Sequence, residues 1–291
     1  MSRRFLLLVN PSAGGGRALD RLPKVEAEFA RLGAEHRTVQ TRDIRHAEDE
    51  VRAAAAAGET VAAMGGDGLL RPIAATLRDG SVPLAIIPGG RGNDFARVLG
   101  VPDDPIEAAQ TAVEGSERLL DVADVDGTAY LGIASYGFDS DANRMANDAK
   151  LVRGNLVYVY AALKALAFWK PARFTVIVDG KRHDMSGYSI AVANSKAYGG
   201  GMFLAPHAEL DDGLLDVVIT GQSSKLYFLR KLPLVFKGTH LELPTVTVLQ
   251  GAEIDVASDR PFEIYADGDP IGATPAEIRV RPRCLRVIVP A

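Results

Sequence analysis

The stretch "TVAAMGGDGLLRPIAATL", residues 60–77, changes character in its middle. Its first five residues form a short apolar run that predicts a buried strand, and Leu69, Ile73 and Leu77 then recur at the spacing of one helix face. Pro72 is expected in the first turn of that helix, where proline is tolerated. The glycines between strand and helix let backbone N–H groups approach a ligand. The single acid among them suits a divalent metal bridging phosphate oxygens.

The same alternation of strand and helix extends on both sides of this stretch. Short apolar runs predict strands at 5–10, 35–41, 60–64 and 82–88. Amphipathic or alanine-rich helical patterns separate them and follow the last one. Alternating strands and helices predict a parallel sheet that is covered on both faces.

From about residue 120 the pattern is instead one of strand-like runs separated by turn signals such as Asp-Gly, which predicts an antiparallel sandwich or barrel. Two helical insertions are predicted, at 154–169 and 223–236. The expected fold is therefore an α/β nucleotide-binding domain with a parallel sheet, residues 1–122, followed by a β-rich sandwich domain, residues 123–291. The last strand is expected to be able to pack back on the first domain.

Composition and charge exclude some classes of protein. The chain has 291 residues and a formal net charge of −4, whereas general nucleic-acid-binding proteins carry a basic excess, so no nucleic-acid partner is expected. No run of roughly 18 apolar residues predicts a membrane-spanning helix, and "FLLLVN" (5–10) is too short for the apolar core of a secretion signal. We expect a cytoplasmic protein, with peripheral contact at the inner membrane face left open.

Three glycine-rich turns follow predicted strands: "NPSAGGGR" (10–17), "GGDG" (65–68) and "PGGRGND" (88–94). Ligands of parallel sheets bind beyond the carboxyl ends of the strands, so these turns are expected to converge on one crevice. Backbone N–H groups and helix N-termini there favour a phosphate-rich ligand. Neither GxxxxGK[ST] nor a well-placed GxGxxG is present, which speaks against a P-loop NTPase and a Rossmann dehydrogenase.

Together with "IIPGGRGNDFARVLGVP" (86–102), these turns resemble the catalytic domain of the bacterial soluble diacylglycerol and lipid kinases, which are related to sphingosine kinases. The resemblance continues through "NSKAYGGGMFLAPHAELDDGLLDVVI" (194–219) and "YADGDPIGATPAEIRVRPRCLRVIVP" (265–290). NAD kinases and phosphofructokinases share the GGDG turn and the layout of the first half, but not the motifs of the second. The resemblance therefore implies a first domain of the NAD-kinase and phosphofructokinase type and a lipid-substrate domain after it.

The resemblance also implies site residues. Asp67 would hold the Mg²⁺ bound to the phosphates of ATP, and Asp269 would accept the proton of the lipid hydroxyl. Asp269 stands in "DGD" where most relatives have Glu. ATP would contact Asn10, Pro11, Ser12, Ala13, Gly14, Thr41, Gly65, Gly66, Asp67, Gly68, Leu69, Leu70, Arg71, Arg91, Gly92, Asn93 and Asp94.

Further acids match family positions as well. Asp94 and Asp121 match acids that support the phosphate site, with a helix cap and a strand-end acid as the alternatives. A structural Mg²⁺ is implied at Asp212, through its side chain, and at the carbonyls of Glu209 and Leu214. The alternative for that loop is a plain turn between strands, and for the "DGD" stretch a solvated hairpin turn.

The sequence departs from the family at several positions. Leu69, Arg71 and Pro72 stand where relatives have Thr, Asn and Glu, and Arg91 stands for a usual Thr. We expect Arg71 and Arg91 to supply charge-assisted bonds to phosphate oxygens in place of the missing groups. Arg17 is a candidate substitute for a lysine that some relatives carry in the first turn.

Two segments combine basic and apolar residues as a membrane-surface segment does: 222–241, with four cations and no acid, and 155–173. The alternative is that each packs on the β-rich domain with its charges in water. The function expected is transfer of the γ-phosphate of ATP, with Mg²⁺, to the hydroxyl of diacylglycerol or a related lipid at the membrane surface. A kinase of another alcohol, and a nucleotide-binding member with weak or no catalysis, remain alternatives, and a homodimer is left open.

Overall fold

The computed structural model describes residues 3–148 and 164–291, and all strands within them belong to one mixed sheet. The first half contains β1 (Phe5–Val9), a 3₁₀ turn (Ala13–Gly15), α1 (Arg17–Arg31), β2 (His36–Gln40), α2 (Ile44–Ala57), β3 (Thr60–Gly65), α3 (Asp67–Leu77), β4 (Leu84–Pro88), α4 (Asp94–Val98) and α5 (Pro105–Glu114).

The second half begins with β5 (Ser116–Val125), β6 (Thr128–Tyr130), β7 (Ile133–Gly137) and α6 (Phe138–Asp148), and residues 164–168 are helical. It continues with β8 (Ala172–Val178), β9 (Lys181–Ala193), β10 (Leu215–Gly221), α7 (Lys225–Lys231), 3₁₀ turns at Leu232–Lys237 and Thr239–Glu242, β11 (Val246–Gly251), β12 (Glu253–Ser258), β13 (Glu263–Ala266), β14 (Asp269–Ala273) and β15 (Ala276–Val289).

Four strands of the first half form a parallel sheet in the order β2-β1-β3-β4. Strands β1, β3 and β4 are buried along their whole length, which explains their uninterrupted apolar runs. The chain moves outward from β1 to β2 and then returns to β3 on the other side of β1, so the sheet has its topological switch point between β1 and β3. The carboxyl ends of these two strands are where ligands of such sheets bind.

The expected position of Pro72 is wrong by one turn. Gly66 is still extended (φ −108°, ψ −177°) and is the cap residue of helix α3, which therefore begins at Asp67. Pro72 is therefore the sixth residue of the helix, in its second turn. Since proline has no backbone N–H, the carbonyl of Gly68 loses its partner within the helix.

The second half is antiparallel and β-rich, as expected. Strand β9 pairs with β8 along its first half and with both β7 and β10 along its second half. Aromatic side chains fill the core of this half of the chain, among them Tyr136, Phe174 and Phe262. The predicted helical insertion at 223–236 is confirmed as α7 and the following 3₁₀ turn; of the insertion at 154–169, residues 154–163 lie outside the described residues.

Strand β15 belongs to both halves of the fold. It pairs with β12 near its start and with β5 along most of its length, and Val287 pairs in parallel with Leu84 of β4. The expected domain boundary at 122/123 falls inside β5 and stays a prediction. Within the part of the chain described here, no helix combines the length and the apolar character needed to cross a bilayer.

Candidate active site

The three glycine-rich turns meet at the carboxyl edge of the parallel sheet through direct backbone contacts. The N–H of Gly89 donates to the carbonyl of Gly65 at 2.8 Å. A Cβ on Gly90 would lie 2.6 Å from the Cα of Gly66, and one on Gly14 would lie 2.6 Å from the carbonyl oxygen of Gly89. Real Cβ atoms do not approach so closely, so only glycine lets the turns pack together.

The first turn is held by its own asparagine. The side-chain oxygen of Asn10 accepts hydrogen bonds from the backbone N–H of Ser12 at 3.0 Å and from its hydroxyl at 2.8 Å. Thr41 lies just beyond the carboxyl end of β2, where its N–H donates to the carbonyl of Val9 at 2.8 Å. Strand β2 is the outermost of the four, so Thr41 is at the far end of the row of turns.

Asp67 is the first residue of α3, and its carboxylate faces the start of α4. Its two oxygens accept hydrogen bonds from the N–H groups of Asp94 and Phe95, both at 3.2 Å. Burial raises the pKa of Asp67, and the nearby charge of Asp94 raises it further. The acid of the GGDG turn therefore lies between two helix N-termini, in surroundings that disfavour an isolated negative charge.

Asp94 connects this edge to the second half of the chain. It is buried, and one carboxylate oxygen pairs with the guanidinium of Arg97 at 2.7 Å. The other oxygen accepts a hydrogen bond from the N–H of Gly200 at 2.7 Å. Asn93 is the cap residue of α4, in a left-handed conformation (φ 52°), and its side-chain oxygen accepts from the N–H of Gly90 at 2.9 Å.

Asp269, at the start of β14, faces the first half of the chain. Its carboxylate pairs with the guanidinium of Arg71 on α3, with 3.1 Å between Oδ2 and Nη2. About half of the Asp269 side chain is exposed, whereas that of Arg71 is 18% exposed. The Nε of Arg71 is buried and has no hydrogen-bond partner among the described residues. Arg71 therefore has one donor committed to Asp269 and another left for a ligand.

Asp267 shows that the "DGD" stretch is more than a solvated turn. It occupies the turn between β13 and β14 with a positive φ of 51°, and its carboxylate accepts from the N–H groups of Leu131 and Gly132 at 2.8 and 2.9 Å. Burial raises the pKa of Asp267 to about 6, with the charge of Asp67 a smaller cause in the same direction. Asp267 thus anchors the turn that presents Asp269.

A pocket of about 250 Å³ lies beside the third turn. Its charged lining consists of Arg17, Arg21, Arg91, Arg97 and Asp103, and residues of 88–93 complete the wall. The Nε of Arg17 donates to the carbonyl of Gly14 at 2.9 Å, which fixes that side chain at the pocket. Four guanidinium groups against one carboxylate make this a positively charged recess, which favours anions.

Asp121 lies away from these acids, at the loop that precedes β10. It is fully buried, and its carboxylate accepts from the N–H groups of Gly213 at 2.7 Å and Arg283 at 2.6 Å. Burial raises the pKa of Asp121, and the charges of Asp212 and Asp211 add to this. Asp121 therefore joins the 209–216 loop to β15 and has no contact with Asp67 among the hydrogen bonds of the described residues.

The side chains of two of the residues implied for a structural Mg²⁺, Asp212 and Glu209, have partners within the protein. Asp212 accepts a hydrogen bond from the N–H of Leu214 at 2.9 Å, and Glu209 lies 3.8 Å from the ammonium group of Lys196. No group of three or more acidic, histidine or cysteine side chains able to hold a metal occurs in residues 3–148 and 164–291. The structural Mg²⁺ site stays a prediction.

The structure thus brings Asp67 of α3 next to Asp94, and Arg71 of the same helix next to Asp269, although α3 is distant in the sequence from both partners. Sequence reasoning missed the anchoring role of Asp267 and the contribution of Arg21 and Arg97 to the charged pocket. No local pattern marks these residues: the two arginines occupy ordinary helix positions, and the Asp-Gly turn is typical of any hairpin.

Comparisons with known proteins find matches to both halves of the chain. The model of the diacylglycerol kinase catalytic domain matches residues 4–125, and that of the YegS C-terminal NAD kinase beta sandwich-like domain matches residues 132–289. A diacylglycerol kinase of Mycobacterium tuberculosis is 33% identical over 97% of this chain and 94% of its own length. One of Bacillus subtilis is 28% identical over 99% and 97%. A crystal structure of a diacylglycerol kinase from Bacillus anthracis covers 99% of this chain and 97% of its own, with a TM-score of 0.76 and 22% identity, and this likeness bears on the fold alone.

Proposed function

The chain belongs to the bacterial diacylglycerol and lipid kinase family, and we propose that it transfers the γ-phosphate of ATP to the hydroxyl of diacylglycerol or a closely related lipid. Because the chain belongs to this family, it is a lipid kinase. The use of ATP with Mg²⁺ and the identity of the acceptor are the parts that we propose. The names of the relatives support diacylglycerol as the first acceptor to test.

The observation that carries the proposal is the meeting of Asp269 and Arg71. Asp269 comes from the second half, and Arg71 lies one helical turn after Asp67 in the first half. An acceptor alcohol beside Asp269 would therefore be near phosphates bound at the GGDG turn. The buried, unpartnered Nε of Arg71 supports a phosphate ligand there, because a buried donor without a partner is costly unless a ligand uses it.

The polyphosphate has further donors at the same edge. The N-terminus of α3 offers backbone N–H groups and a favourable dipole, as helix starts at phosphate sites do. Arg91 is exposed in the arginine-lined pocket, and Arg17 lies across from it on α1. Guanidinium groups bind phosphate oxygens in pairs of charge-assisted bonds, so these side chains fit the tail of a nucleotide.

The residues fit a Mg²⁺ ion that has one protein carboxylate as a ligand and takes its other ligands from phosphate oxygens and water. Burial and the charge of Asp94 raise the pKa of Asp67, and a cation would relieve both effects. Mg²⁺ in kinases is commonly held by one or two carboxylates together with substrate phosphates. Asp67 would be the protein ligand, and the ion, when bound, neutralises charge on the transferred phosphoryl group.

In the proposed reaction, Asp269 accepts the proton of the acceptor hydroxyl as that oxygen forms its bond to the γ-phosphorus. The bond from this phosphorus to the bridging oxygen breaks, and ADP leaves with the electron pair. Arg71 orients the Asp269 carboxylate and places positive charge beside the reacting groups. Asp267 holds the hairpin turn that positions Asp269.

Transfer of ³²P from labelled ATP to diacylglycerol in mixed micelles tests the proposal. We expect transfer by the parent and loss of transfer in Asp67→Ala, with Asp20→Ala at an exposed position of α1 as the matched control. A panel of soluble alcohols distinguishes a kinase of another acceptor. Binding of ATP without transfer to any member of the panel would contradict the proposed reaction.

A further inference from the structure

Helix α7 has one buried side and one exposed side. Phe228 points inward, where its ring stacks on Tyr188 with 4.2 Å between centroids and meets Phe138 edge-on at 5.1 Å. Leu226 and Leu229 point outward and are 58% and 39% exposed. The helix is therefore anchored on the β-rich half by its inner side while its outer side carries apolar groups in water.

The exposed side of α7 continues onto the segment before β8. The ammonium group of Lys225 donates to the carbonyl of Ala167 at 2.7 Å, which ties the helix to residues 164–168. Next to Ala167, Phe168 is 74% exposed, and Phe236 after α7 is 54% exposed. We name the set Phe168, Leu226, Leu229 and Phe236, with the cations around it, the basic apolar face.

The concentration of these side chains is unusual for this chain. Eight large apolar side chains are strongly exposed within the described residues, and four of them belong to the basic apolar face. Single exposed apolar residues are ordinary on a protein surface, whereas a group of them marks a surface that something covers.

The charge of the surrounding segment indicates which kind of partner covers the basic apolar face. Residues 222–241 contain Lys225, Arg230, Lys231 and Lys237 and no acid, although the chain as a whole has a net charge of −4. Lys225, Arg230 and Lys237 are exposed. An anionic lipid surface complements both properties, because it attracts the cations and accepts the apolar side chains between its headgroups.

A cavity and a loop connect the basic apolar face to the candidate active site. Beneath α7 is a cavity of about 70 Å³, whose lining includes Tyr227 and Phe228 of the helix and Tyr198 and Met202. The backbones of Tyr198 and Met202 pair with each other at 3.0 Å, and Gly200 between them donates to Asp94. One short loop thus lines the cavity beneath α7 and also reaches Asp94 of the site.

We propose that the basic apolar face docks the protein on an anionic bilayer, with the exposed phenylalanines and leucines inserted among the lipids. The inference rests on the proposed function, since a diacylglycerol-like acceptor resides in the bilayer. It adds the surface that makes the contact and the kind of lipid that the surface selects.

Sedimentation with vesicles tests the docking. We expect the parent to bind vesicles of phosphatidylcholine mixed with phosphatidylglycerol and to bind pure phosphatidylcholine weakly. Leu226→Ser with Phe236→Ser, and separately Arg230→Glu with Lys237→Glu, should each lower the partition coefficient roughly tenfold or more. Ile44→Ser, at a residue 55% exposed on α2, and Lys24→Glu on α1 are the matched controls and should bind like the parent.

Equal binding of the parent to both vesicles, or unchanged binding of both double variants, would overturn the docking. The docking would also be overturned if the parent were a dimer that binds no vesicles and that Leu226→Ser with Phe236→Ser converts to a monomer. The face would then cover a second copy of the chain.

A second measurement compares two substrates. The variants should phosphorylate a short-chain, water-soluble diacylglycerol as the parent does, whereas their phosphorylation of vesicle-bound substrate should fall. If the parent binds anionic vesicles but phosphorylates neither substrate, the docking proposal stands and the proposed kinase reaction is contradicted.

Discussion

Asp269 and Arg71 are 198 residues apart in the sequence and form an ion pair at 3.1 Å across the junction of the two halves. The pair joins the hairpin of β13 and β14 to the second turn of α3. It places a carboxylate and a partly free guanidinium at the point where the acceptor and the phosphate donor would meet.

We predict that Asp269→Asn lowers kcat by about 10²–10⁴-fold, which is the usual contribution of a general base. Asp269→Glu should retain activity, because the carboxylate persists. Steady-state kinetics with diacylglycerol micelles measures both. Asp259→Asn is the control, since Asp259 also pairs with an arginine, Arg173 at 3.6 Å, but lies outside the site. Full activity of the Asn variant would show that another group takes the proton.

Arg91 is expected to bind the polyphosphate, so Arg91→Ala should raise the KM for ATP severalfold while kcat changes little. The cause is the loss of charge-assisted bonds from an exposed guanidinium in the arginine-lined pocket. Initial rates over a range of ATP concentrations give both constants. Arg45→Ala, at an exposed position of α2, removes the same charge outside the pocket. An unchanged KM in Arg91→Ala would remove Arg91 from the nucleotide site.

The close packing of the turns predicts opposite effects for two glycines. Gly90→Ala should lower the free energy of unfolding by about 1–3 kcal/mol, because its Cβ would lie 2.6 Å from the Cα of Gly66. Gly68→Ala should raise it by up to about 1 kcal/mol, since Gly68 is helical and a Cβ there meets open space. Urea unfolding compares the two. Equal effects would mean that the turns separate without cost.

Asp139 predicts a pH dependence of stability away from the catalytic acids. Burial raises the pKa of Asp139 from 3.8 to about 6, although the hydroxyls of Ser189 and Tyr198 donate to it. The folded state therefore binds this proton more tightly than the unfolded state, so the stability from this group is greatest at low pH and is lost as pH rises from about 4 through 6.

Asp139→Asn should flatten this part of the profile, because the amide keeps an acceptor and does not titrate. Urea unfolding at a series of pH values measures the slope, with Asp49→Asn on α2 as the control. Asp267, whose pKa is raised in the same way, keeps part of the slope in the variant. A profile identical to that of the parent would show that the Asp139 carboxyl is hydrated.

The fold could be predicted from the sequence because its determinants are local. The buried strands β1, β3 and β4 are apolar runs that end at the three glycine-rich turns, and each of these turns is followed by a helix pattern. The sequence pattern places the start of α3 too late, because Leu69 is the first apolar position of the helix face, whereas the helix begins at Asp67.

The candidate site could be predicted only as a set of separate turns. The sequence places Asp67 and Asp269 in motifs, but the contact that joins Asp269 to Arg71 depends on how the second half packs on the first. The same is true of the arginine-lined pocket, to which α1 contributes Arg17 and Arg21 and the third turn contributes Arg91. Such contacts arise from tertiary packing and leave no periodic signal in the chain.

Strand β15 has a consequence for synthesis on the ribosome. Until its final residues emerge, β4 lacks the neighbour that Val287 provides and presents an open edge to other polypeptides. The nascent first half is thus open to aberrant association while the residues between β4 and β15 are being translated, and its protection comes from a strand made long after it.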